Sequence, residues 1–559
     1  PYQPTDVPAP SFDNAPLIYK SLIRDGKLYL SLPDAIALAL ENNLDLAIAR
    51  YNLPIADTDI LRARGGGSTS GVNTGLVSGT QGGNGSGVTT GANAAAQGAG
   101  AGGTTAGTGG AGTGSSGLVQ SSLGAGPNVP QLDPTLTGTL QLDNNKSLSS
   151  NPFSGAPTLS QRTYTEDVAY NQGFLTGTSL SVGFNNTRLT TNSTFASFNP
   201  QLNSNLRTQV TQHLLNGFGI SNNNRFIRIA LNDKQIANYA FRQQVNTTVS
   251  QIEDIYWDLV NAYENVVAQE RSVSLGQKLL SDNQRQVQIG TLAPIAVVQA
   301  QSQLATSQQN LIVAQTNLQL QQYLMLNAVA RNVSSNLQLS NVKVIPTDRM
   351  DVSAYTEQNL DTEKLIQTAY SDRPDIQESL IDLKNREITR KSAKNALLPT
   401  VDLYAYYGGS SLAGNQNPLS TCRPGQTTFC TPPGAISPTG YGTAFSNLFN
   451  GTAPDKGAGI NVAIPIRNRV NQATQIRSEL EEEQAKLRLL QLRNQVTVDV
   501  RNAVYAVAQD RAQVDAARAA QEYAQQNLEA EQKKYQLGAS TSYNVQQLQT
   551  LSRNPNKLS

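Results

Sequence analysis

Two similar stretches decide the fold prediction: QIGTLAPIAVVQ at residues 288–299 and QLGASTSYNVQQ at residues 536–547. They lie 248 positions apart (536 − 288). A second pair, SLPDAIALALENNLDL at 31–46 and DTEKLIQTAYSDRPDI at 361–376, lies 330 positions apart (361 − 31). The same blocks therefore occur twice in the same order, which indicates an internal duplication whose halves pack as similar neighbours.

The first half contains an insertion. Pro134-Thr135-Leu136 aligns with Pro399-Thr400-Val401 at an offset of 265 (399 − 134), so the first half has 65 additional residues (330 − 265). Residues 65–130, which are rich in Gly, Ser, Thr, Ala and Asn, account for this difference. We predict a flexible or disordered loop there, because this composition buries too little apolar area to offset its chain entropy.

The composition favours long, thin elements over one large core. Only 38% of the 559 residues are hydrophobic, which is below the usual share of a globular protein. The 42 basic and 41 acidic residues almost cancel, so no basic surface predicts nucleic-acid binding. No apolar run is long enough for a transmembrane helix. The start at Pro1 lacks the pattern of a signal peptide, which we expect to have been removed.

The two longest predicted helices occupy residues 222–289 and 468–537. In the first, apolar side chains step alternately by four and three residues, which is a heptad seam: Val245, Val249, Ile252, Tyr256, Leu259, Tyr263 and Val266. At the 248 offset, four of these positions fall on valines of the second helix: Val500, Val504, Val507 and Val514. Both helices are predicted to end at a glycine, Gly290 or Gly538, in the left-handed conformation.

The predicted organisation follows from these repeats. An N-terminal extension (1–30) precedes a first structural repeat (31–330), an equatorial linker (331–360) and a second repeat (361–559). The first repeat comprises a helix from Ser31 to about Arg64, the insertion 65–130, strands at 134–214, the long helix 222–289 and a returning helix 295–330. The second comprises a helix at 363–398, strands at 399–466, the long helix 468–537 and a truncated returning helix. An apolar face is predicted on the first helix at Leu32, Ile36, Leu40, Leu44 and Ala47.

The predicted strands alternate in polarity over roughly ten residues each. Leu180, Val182 and Phe184 alternate with small residues, and Val401 and Leu403 begin a similar pattern in the second half. This alternation is typical of outer-membrane β-strands, but a half-buried strand of a soluble sheet has the same pattern. The long helices on either side favour the membrane interpretation. An additional alternating segment around residues 164–170 leaves the strand count open.

The residue types argue against catalysis. The single histidine, His213, and scattered carboxylates form no nucleophile–base pair or metal cluster, so we predict neither enzyme activity nor a cofactor. Cys422 and Cys430 are predicted to form a disulfide in an oxidising compartment, the alternative being two free thiols. The acidic run formed by Glu479 and residues 481–483 is predicted to be a solvated helix face rather than a metal site.

The order of these blocks resembles the TolC-like outer-membrane efflux family of Gram-negative bacteria. The resemblance covers residues 31–64 and 134–559 and is carried by the helix openings at Ser31 and Asp361, the junctions LDPTLTGTLQL (132–142), LLPTVDLYAYY (397–407) and VAIPIRNR (462–469), and the two tip turns. It implies an α+β membrane protein: a homotrimeric barrel in outer-membrane lipid, with about four strands per protomer and twelve in all. The barrel would continue into a long periplasmic α-helical tube of coiled-coil helices.

The resemblance also implies a function. The protein would be the outer-membrane exit duct of a tripartite efflux or type I secretion system, a passive channel served by a periplasmic adaptor and driven by an inner-membrane transporter. The alternative from the residues is a trimeric coiled-coil structural or adhesive cell-surface protein, and a soluble coiled-coil scaffold comes third. The duplicated strand hairpins discriminate against a stalk, which has no reason to enter the membrane twice.

The resemblance assigns residues to two tasks. Adaptor docking is implied at the tip turns, whose residues are Ile289, Gly290, Thr291, Leu537, Gly538 and Ala539. Closure of the tube is implied at Tyr535, and Asn544 and Gln547 occupy positions where relatives place gate aspartates. No acidic, cation-selecting ring is therefore expected there. A returning helix as long as 295–330 is implied after Gly538, and we expect its missing part to lie outside this sequence.

Overall fold

The computed structural model describes residues 7–11, 22–77, 79–80, 123–151, 154–332, 342–349, 361–428, 430–537, 539–540, 544–545 and 548. Most of the predicted insertion, part of the predicted linker 331–360 and the segment predicted as a truncated returning helix lie outside these residues.

The first half begins with two short strands and three helices. They are β1 (Ile23–Arg24), β2 (Lys27–Leu30), α1 (Leu32–Asn42), α2 (Leu44–Arg50) and α3 (Asn52–Arg64). One continuous helix was predicted here, but the first helix ends at Asn42 and a second begins at Leu44. The Asn43 side chain accepts hydrogen bonds from the backbone nitrogens of Asp45 and Leu46, which caps a new helix.

Four strands and three helices follow in the first half. They are β3 (Thr135–Leu148), β4 (Thr158–Gly173), β5 (Thr178–Thr191), β6 (Phe198–His213), α4 (Ile220–Asn223), α5 (Arg225–Gln288) and α6 (Ile295–Val329). The helices α5 and α6 pack side by side as a long hairpin whose turn lies at residues 289–294.

The second half repeats the order of helix, strand and long helix. Its elements are β7 (Lys343–Pro346), α7 (Thr362–Asp372), α8 (Pro374–Asn395), β8 (Thr400–Gln416), α9 (Tyr441–Phe449), β9 (Pro454–Ala463) and α10 (Arg469–Gln536). The helix predicted at 363–398 is interrupted at Arg373, whose backbone is extended. Pro374 explains the break, since the residue before a proline is disfavoured in the helical region.

The strands form two sheets. A small sheet has the order β1-β2-β7, with β2 and β7 parallel. The large sheet has the order β3-β4-β5-β6-β8-β9, and all its neighbours are antiparallel. The large sheet thus has six strands, where the sequence predicted about four. The additional pair arises because 158–191 forms two full-length strands between β3 and β6.

The main core lies where the small sheet meets the middle of α5. It combines Leu28 and Leu30 of β2, Leu38 of α1, Ile252, Tyr256 and Leu259 of α5, and Met325 and Leu326 of α6, all of them buried. The Tyr256 hydroxyl lies 2.8 Å from an Asp348 carboxylate oxygen, which also accepts a hydrogen bond from the backbone nitrogen of Leu32 at 2.7 Å. This core fixes α1, α5 and α6 relative to one another near the middle of α5.

Candidate functional site: the helix tips

The turn after α5 is a hydrogen-bonded helix end. The backbone nitrogen of Ile289 donates to the Arg285 oxygen at 3.1 Å, and that of Thr291 donates to the Gln286 oxygen at 2.9 Å. Gly290 between them has a φ of +79°, a conformation that favours glycine. The six-to-one bond from Thr291 is the one that defines the Schellman motif, so the helix ends here for a local reason.

The turn after α10 has the same hydrogen bonds, each shifted by 248 positions. The Leu537 nitrogen donates to the Lys533 oxygen at 3.1 Å, and the Ala539 nitrogen donates to the Lys534 oxygen at 2.9 Å. Ile289 and Leu537 even share the same backbone angles, φ −86° and ψ 0°. Gly538 lies outside the described residues.

Both turns present an exposed aliphatic side chain at their apex. Ile289 is 72% exposed and Leu537 is 84% exposed. Thr291 and Ala539 are also exposed. An apolar side chain at the tip of a helical turn, with its backbone groups already satisfied, is suited to contact another protein through packing.

A side-chain hydrogen bond joins the two tips. Gln286 Nε2 of α5 donates to the Tyr535 hydroxyl of α10 at 3.0 Å. The structure therefore links the ends of α5 and α10, next to the two predicted docking turns, through Gln286 and Tyr535. Gln286 was not predicted, because a glutamine among many on a polar helix face is indistinguishable from its neighbours.

Glu531 organises the segment after the second turn. Its carboxylate accepts a hydrogen bond from Ser540 Oγ at 2.5 Å and one from Lys534 Nζ at 3.3 Å. The hydrogen bonds from Ser540, Lys534 and Asn544 lower the pKa of Glu531. Asn544, a candidate for tube closure, thus touches Glu531, whereas Gln547 lies outside the described residues.

A buried polar cluster joins α5 to α8 nearer the large sheet. Asn385 Nδ2 donates to Asp233 Oδ1 at 2.9 Å, and Asn232 Nδ2 donates to Asn385 Oδ1 at 2.7 Å. The side chain of Asp233 is buried, and its Oδ2 has no hydrogen-bond partner among the described residues. Burial and the nearby Asp382 carboxylate raise the pKa of Asp233 to about 7, while the hydrogen bond from Asn385 acts in the opposite direction.

Glu378 of α8 is a second buried acid. Burial, together with the charge of Asp375, raises the pKa of Glu378 to about 8. Sequence reasoning missed both acids, since their burial depends on the helix that packs over them. A protonated carboxyl can donate as well as accept, so these groups suit a buried interface between helices.

The predicted solvated acidic face on α10 is wrong for two of its members. Glu481 and Glu482 are largely buried against α8. Arg390 Nε lies 2.5 Å from Glu482 Oε2, and Arg386 bridges Asp382 at 2.8 Å and Glu481 at 3.5 Å. Glu479 and Glu483 follow the prediction and are exposed. Glu481 and Glu482 therefore link α10 to α8, because the arginines of α8 lie opposite them.

The two cysteines lie at the far end of β8. Their sulfur atoms are 2.09 Å apart, as in a disulfide. The loop is also held by the backbone nitrogen of Cys422, which donates to the Thr431 oxygen at 2.9 Å. The bridge therefore closes the loop at the end of the sheet opposite the helices.

The described residues contain no group of histidine, cysteine or acidic side chains that could hold a metal ion. Among the helices of that same part of the chain, none combines the length and the apolar character needed to cross a bilayer. The single histidine contacts Asp402 through Nδ1 at 2.6 Å, where β6 and β8 meet the helices.

The six-stranded sheet and the long helices form a fold that solved outer-membrane channel structures share. The structure is similar to that of the outer-membrane protein VceC from Vibrio cholerae (13% identity, 94% of this chain and 90% of that chain, TM-score 0.54). It is also similar to the CmeC outer-membrane channel of Campylobacter jejuni (15% identity, 94% and 80%, TM-score 0.50) and to CusC (14% identity, 99% and 94%, TM-score 0.53). A comparison with curated proteins gives no match.

A family model matches the sequence of the second half. Residues 365–554 match the model described as Outer membrane efflux protein. The predicted resemblance to TolC-like outer-membrane efflux proteins is therefore confirmed for this part of the chain.

Proposed function

We propose that the protein is the outer-membrane exit duct of a tripartite efflux or type I secretion system. The observation that carries this proposal is the large sheet, whose edge strands β3 and β9 each pair on only one side within the described residues. Unpaired backbone groups are very costly in lipid, so a single copy cannot remain in a membrane with these edges open. Three copies, each joining its β3 to the β9 of the next, close the sheet into a barrel.

The number of strands makes this barrel wider than predicted. Six strands per protomer give eighteen in a trimer, in place of the twelve implied by the resemblance. Strands β3 to β6 and β8 have 14 to 17 residues, and β4 pairs with β5 from Gln161 to Gly173. Barrel diameter grows roughly in proportion to strand number, and sixteen- to eighteen-stranded barrels leave an aqueous channel.

The turn between β4 and β5 makes hydrogen bonds at the end of the large sheet that faces the helices. The backbone nitrogen of Gly173, at the end of β4, donates to the Gln131 oxygen at 2.8 Å. Asn223 Nδ2 donates to the Leu175 oxygen at 3.1 Å. The turn between β4 and β5 therefore rests on the residues that follow the insertion and on the start of the α4–α5 region.

The duplication is the second part of the proposal. The matching hydrogen bonds at the two tip turns support it, because each donor and acceptor of the first turn has a counterpart 248 positions later. In a trimer, two similar tips per copy would form a ring of six. Such a ring offers repeated docking positions for a periplasmic adaptor at residues 289–291 and 537–539.

The transport itself would be passive at this chain. The energy would come from an inner-membrane transporter, and the adaptor would connect that transporter to the ring of tips. The alternative of a coiled-coil stalk is not supported, because a six-stranded sheet with an exposed apolar face has no role in a stalk.

Planar-bilayer recordings of the purified full chain test the proposal. We expect stable, stepwise conductance, since a closed barrel encloses water. Electron microscopy of the same particles should resolve three copies and eighteen strands. Twelve strands with conductance would overturn the wider barrel alone. A stable monomer without conductance would overturn the exit duct.

A further inference from the structure

One face of the large sheet is apolar. Side chains of alternate residues share it, as the cross-strand pairs show: Leu136, Leu140, Leu142, Leu180, Val182, Phe184, Leu206, Val210, Leu403, Tyr407, Ile460 and Val462. The opposite face carries threonine, asparagine, serine and glutamine in the same strands. The proposed function makes the apolar face the one that contacts lipid.

Helix α9 lies across the upper part of this apolar face. Its Ala444 packs with Leu202 of β6 and Ala413 of β8 in one buried cluster. Its backbone at Leu448 approaches so closely that a Cβ on Gly409 would collide with it. Phe445 meets Phe184 of β5 edge to face, with ring centres 6.4 Å apart. The helix is therefore fixed against the outside of the sheet.

One side of α9 carries three aromatic rings. Tyr441, Phe445 and Phe449 are spaced by four residues, so they share one side of the helix. They are 48%, 57% and 64% exposed. The row is continuous with the apolar face below it, and an amphipathic helix with an aromatic face is typical of the membrane interface.

Two arginines lie on the same face of the sheet. The guanidinium groups of Arg162 and Arg188 lie over the Tyr164 ring, 5.1 Å and 5.8 Å from its centre. Lys146 of β3 shares their face and height, because it stands two residues beyond the partner of Arg162. Glu166 is the acid on this face nearest to them, and the Asn186 amide donates to it at 3.2 Å. Within the described residues no carboxylate forms an ion pair with either arginine.

A groove lies between Arg188 and Tyr441, the first ring of the aromatic row. It has a volume of about 330 Å³, with Arg188 and Leu202 on one side and Thr439 and Tyr441 on the other. Its position is at the end of the strands away from the helices. Since the helices are periplasmic, this end faces the cell exterior and the outer leaflet.

We propose that this surface, α9 with Arg162 and Arg188, binds an outer-leaflet lipid whose headgroup carries phosphate. The guanidinium groups bind the phosphate, because planar bidentate donors match its oxygens. The row of Tyr441, Phe445 and Phe449 packs against the acyl chains. The inference rests on the proposed function only in that it needs the sheet to lie in the outer membrane.

Lipid titration of the full-chain particle in detergent tests the site. Lipid A, phosphatidylcholine and inorganic phosphate are each added, and the midpoint of thermal unfolding gives an apparent affinity. We expect lipid A to stabilise most, phosphatidylcholine less and phosphate alone not at all. The double variant R162Q/R188Q should bind lipid A about tenfold more weakly or worse, since a charged hydrogen bond is lost.

A matched control separates this site from cations in general. Arg207 stacks on Tyr406 at 3.8 Å, but on the opposite face of the sheet. The variant R207Q should therefore keep the wild-type affinity for lipid A. The variant F445N/F449N should lose affinity for lipid A and phosphatidylcholine alike, because the acyl contact serves both.

Several results would overturn the proposal. They are unchanged lipid A binding in R162Q/R188Q, an equal loss in R207Q, or stabilisation by inorganic phosphate as large as that by lipid A. If R162Q/R188Q does not fold, R162K/R188K replaces it, and a loss of preference for lipid A over phosphatidylcholine is then required. Conductance in planar bilayers is recorded for each variant, so failure of the lipid site leaves the exit duct intact when conductance persists.

Discussion

The helices α5 and α10 are similar in length and in heptad pattern, but they differ in burial. Helix α5 has 64 residues and α10 has 68. Leu259 of α5 is completely buried, whereas Val507, its counterpart 248 positions later, is 56% exposed. The pattern of apolar residues thus defines which face of a helix can be buried, and the neighbouring element decides whether it is.

The neighbours of the two helices explain the difference. The α5 seam is covered by α6, α1 and the small sheet, which together form the main core. The buried residues of α10 lie mostly between Ser478 and Val496, where α8 covers it. Further along, Ala524 is the one buried side chain of α10. The uncovered part of α10 is therefore the place where a returning helix or a second copy of the chain would pack.

The largest expected effect contrasts these matched positions. Leu259→Ala should lower the free energy of unfolding by about 3 kcal/mol, because it leaves a cavity in the main core. Val507→Ala should change it by less than about 0.5 kcal/mol if α10 is exposed in the particle. Urea titration followed by helical circular dichroism of the full chain measures both.

The same pair of variants can also overturn the comparison. A cost above about 1 kcal/mol for Val507→Ala, matching a buried valine, means that another copy or helix covers α10 in solution. Both variants keep an aliphatic residue, so neither changes the charge of the chain.

The next effect concerns two buried acids, Asp233 of α5 and Glu378 of α8. The pKa of Asp233 is raised to about 7 and that of Glu378 to about 8, so the folded state holds protons that the unfolded state releases above about pH 4. Stability should therefore fall as pH rises from about 4 to 8 and level off above that range. We expect the urea midpoint of wild type to fall steadily between pH 5 and pH 8.5, and the variant D233N/E378Q should lose most of this slope.

An exposed acid provides the control for this prediction. Asp57 of α3 is more than half exposed and pairs with Lys234 at 2.6 Å. Asp57→Asn should leave the pH slope as it is in wild type. The test compares urea midpoints at pH 5 and pH 8.5. If the stability of D233N/E378Q still falls between these two pH values as it does in wild type, Asp233 and Glu378 are not the cause of the slope.

On α10 the electrostatic arrangement is reversed. Burial alone would raise the pKa of Glu482, but hydrogen bonds from Arg390 and Lys486 outweigh it, and the pKa is lowered. This acid stabilises the fold above its unfolded pKa and loses that contribution as pH falls. The two long helices therefore use buried acids in opposite ways, because the pKa of Asp233 is raised and that of Glu482 is lowered.

The sequence predicts elements better than partners. The heptad seam of α5 and the two tip turns follow from periodicity and from glycine, which are local signals. The apolar face predicted for the first helix was wrong at Leu40 and Leu44, which are exposed, whereas Leu32 and Ile36 pack against the main core. Ala35, Leu38 and Ala39 are the buried residues of this helix. Small residues pack closest to α5 there, and no rule based on hydrophobicity alone selects alanine over leucine.

The candidate site shows the same limit. The turns at 289–291 and 537–539 could be found from sequence, since the motif repeats. The bond between Gln286 and Tyr535, the burial of Asp233 and the ion pairs of Glu482 could not, because each joins residues more than ninety positions apart. The two additional strands were seen only as one alternating segment, for the pairing of β4 with β5 has no local signature.

The smallest effect is expected where α5 and α10 meet. Tyr535→Phe removes the hydroxyl that accepts from Gln286 at 3.0 Å, at a cost of about 1 kcal/mol. If this bond helps to hold the two tips together and the tube closed, leak conductance in planar bilayers should rise about fivefold, the population change that such an energy produces. Tyr505→Phe, an exposed tyrosine on the same helix, is the control. An unchanged leak in Tyr535→Phe would assign closure to other residues. An equal rise in both variants would mean that the loss of any tyrosine hydroxyl loosens α10. The hydrogen bond at the tips would then have no special part in closing the tube.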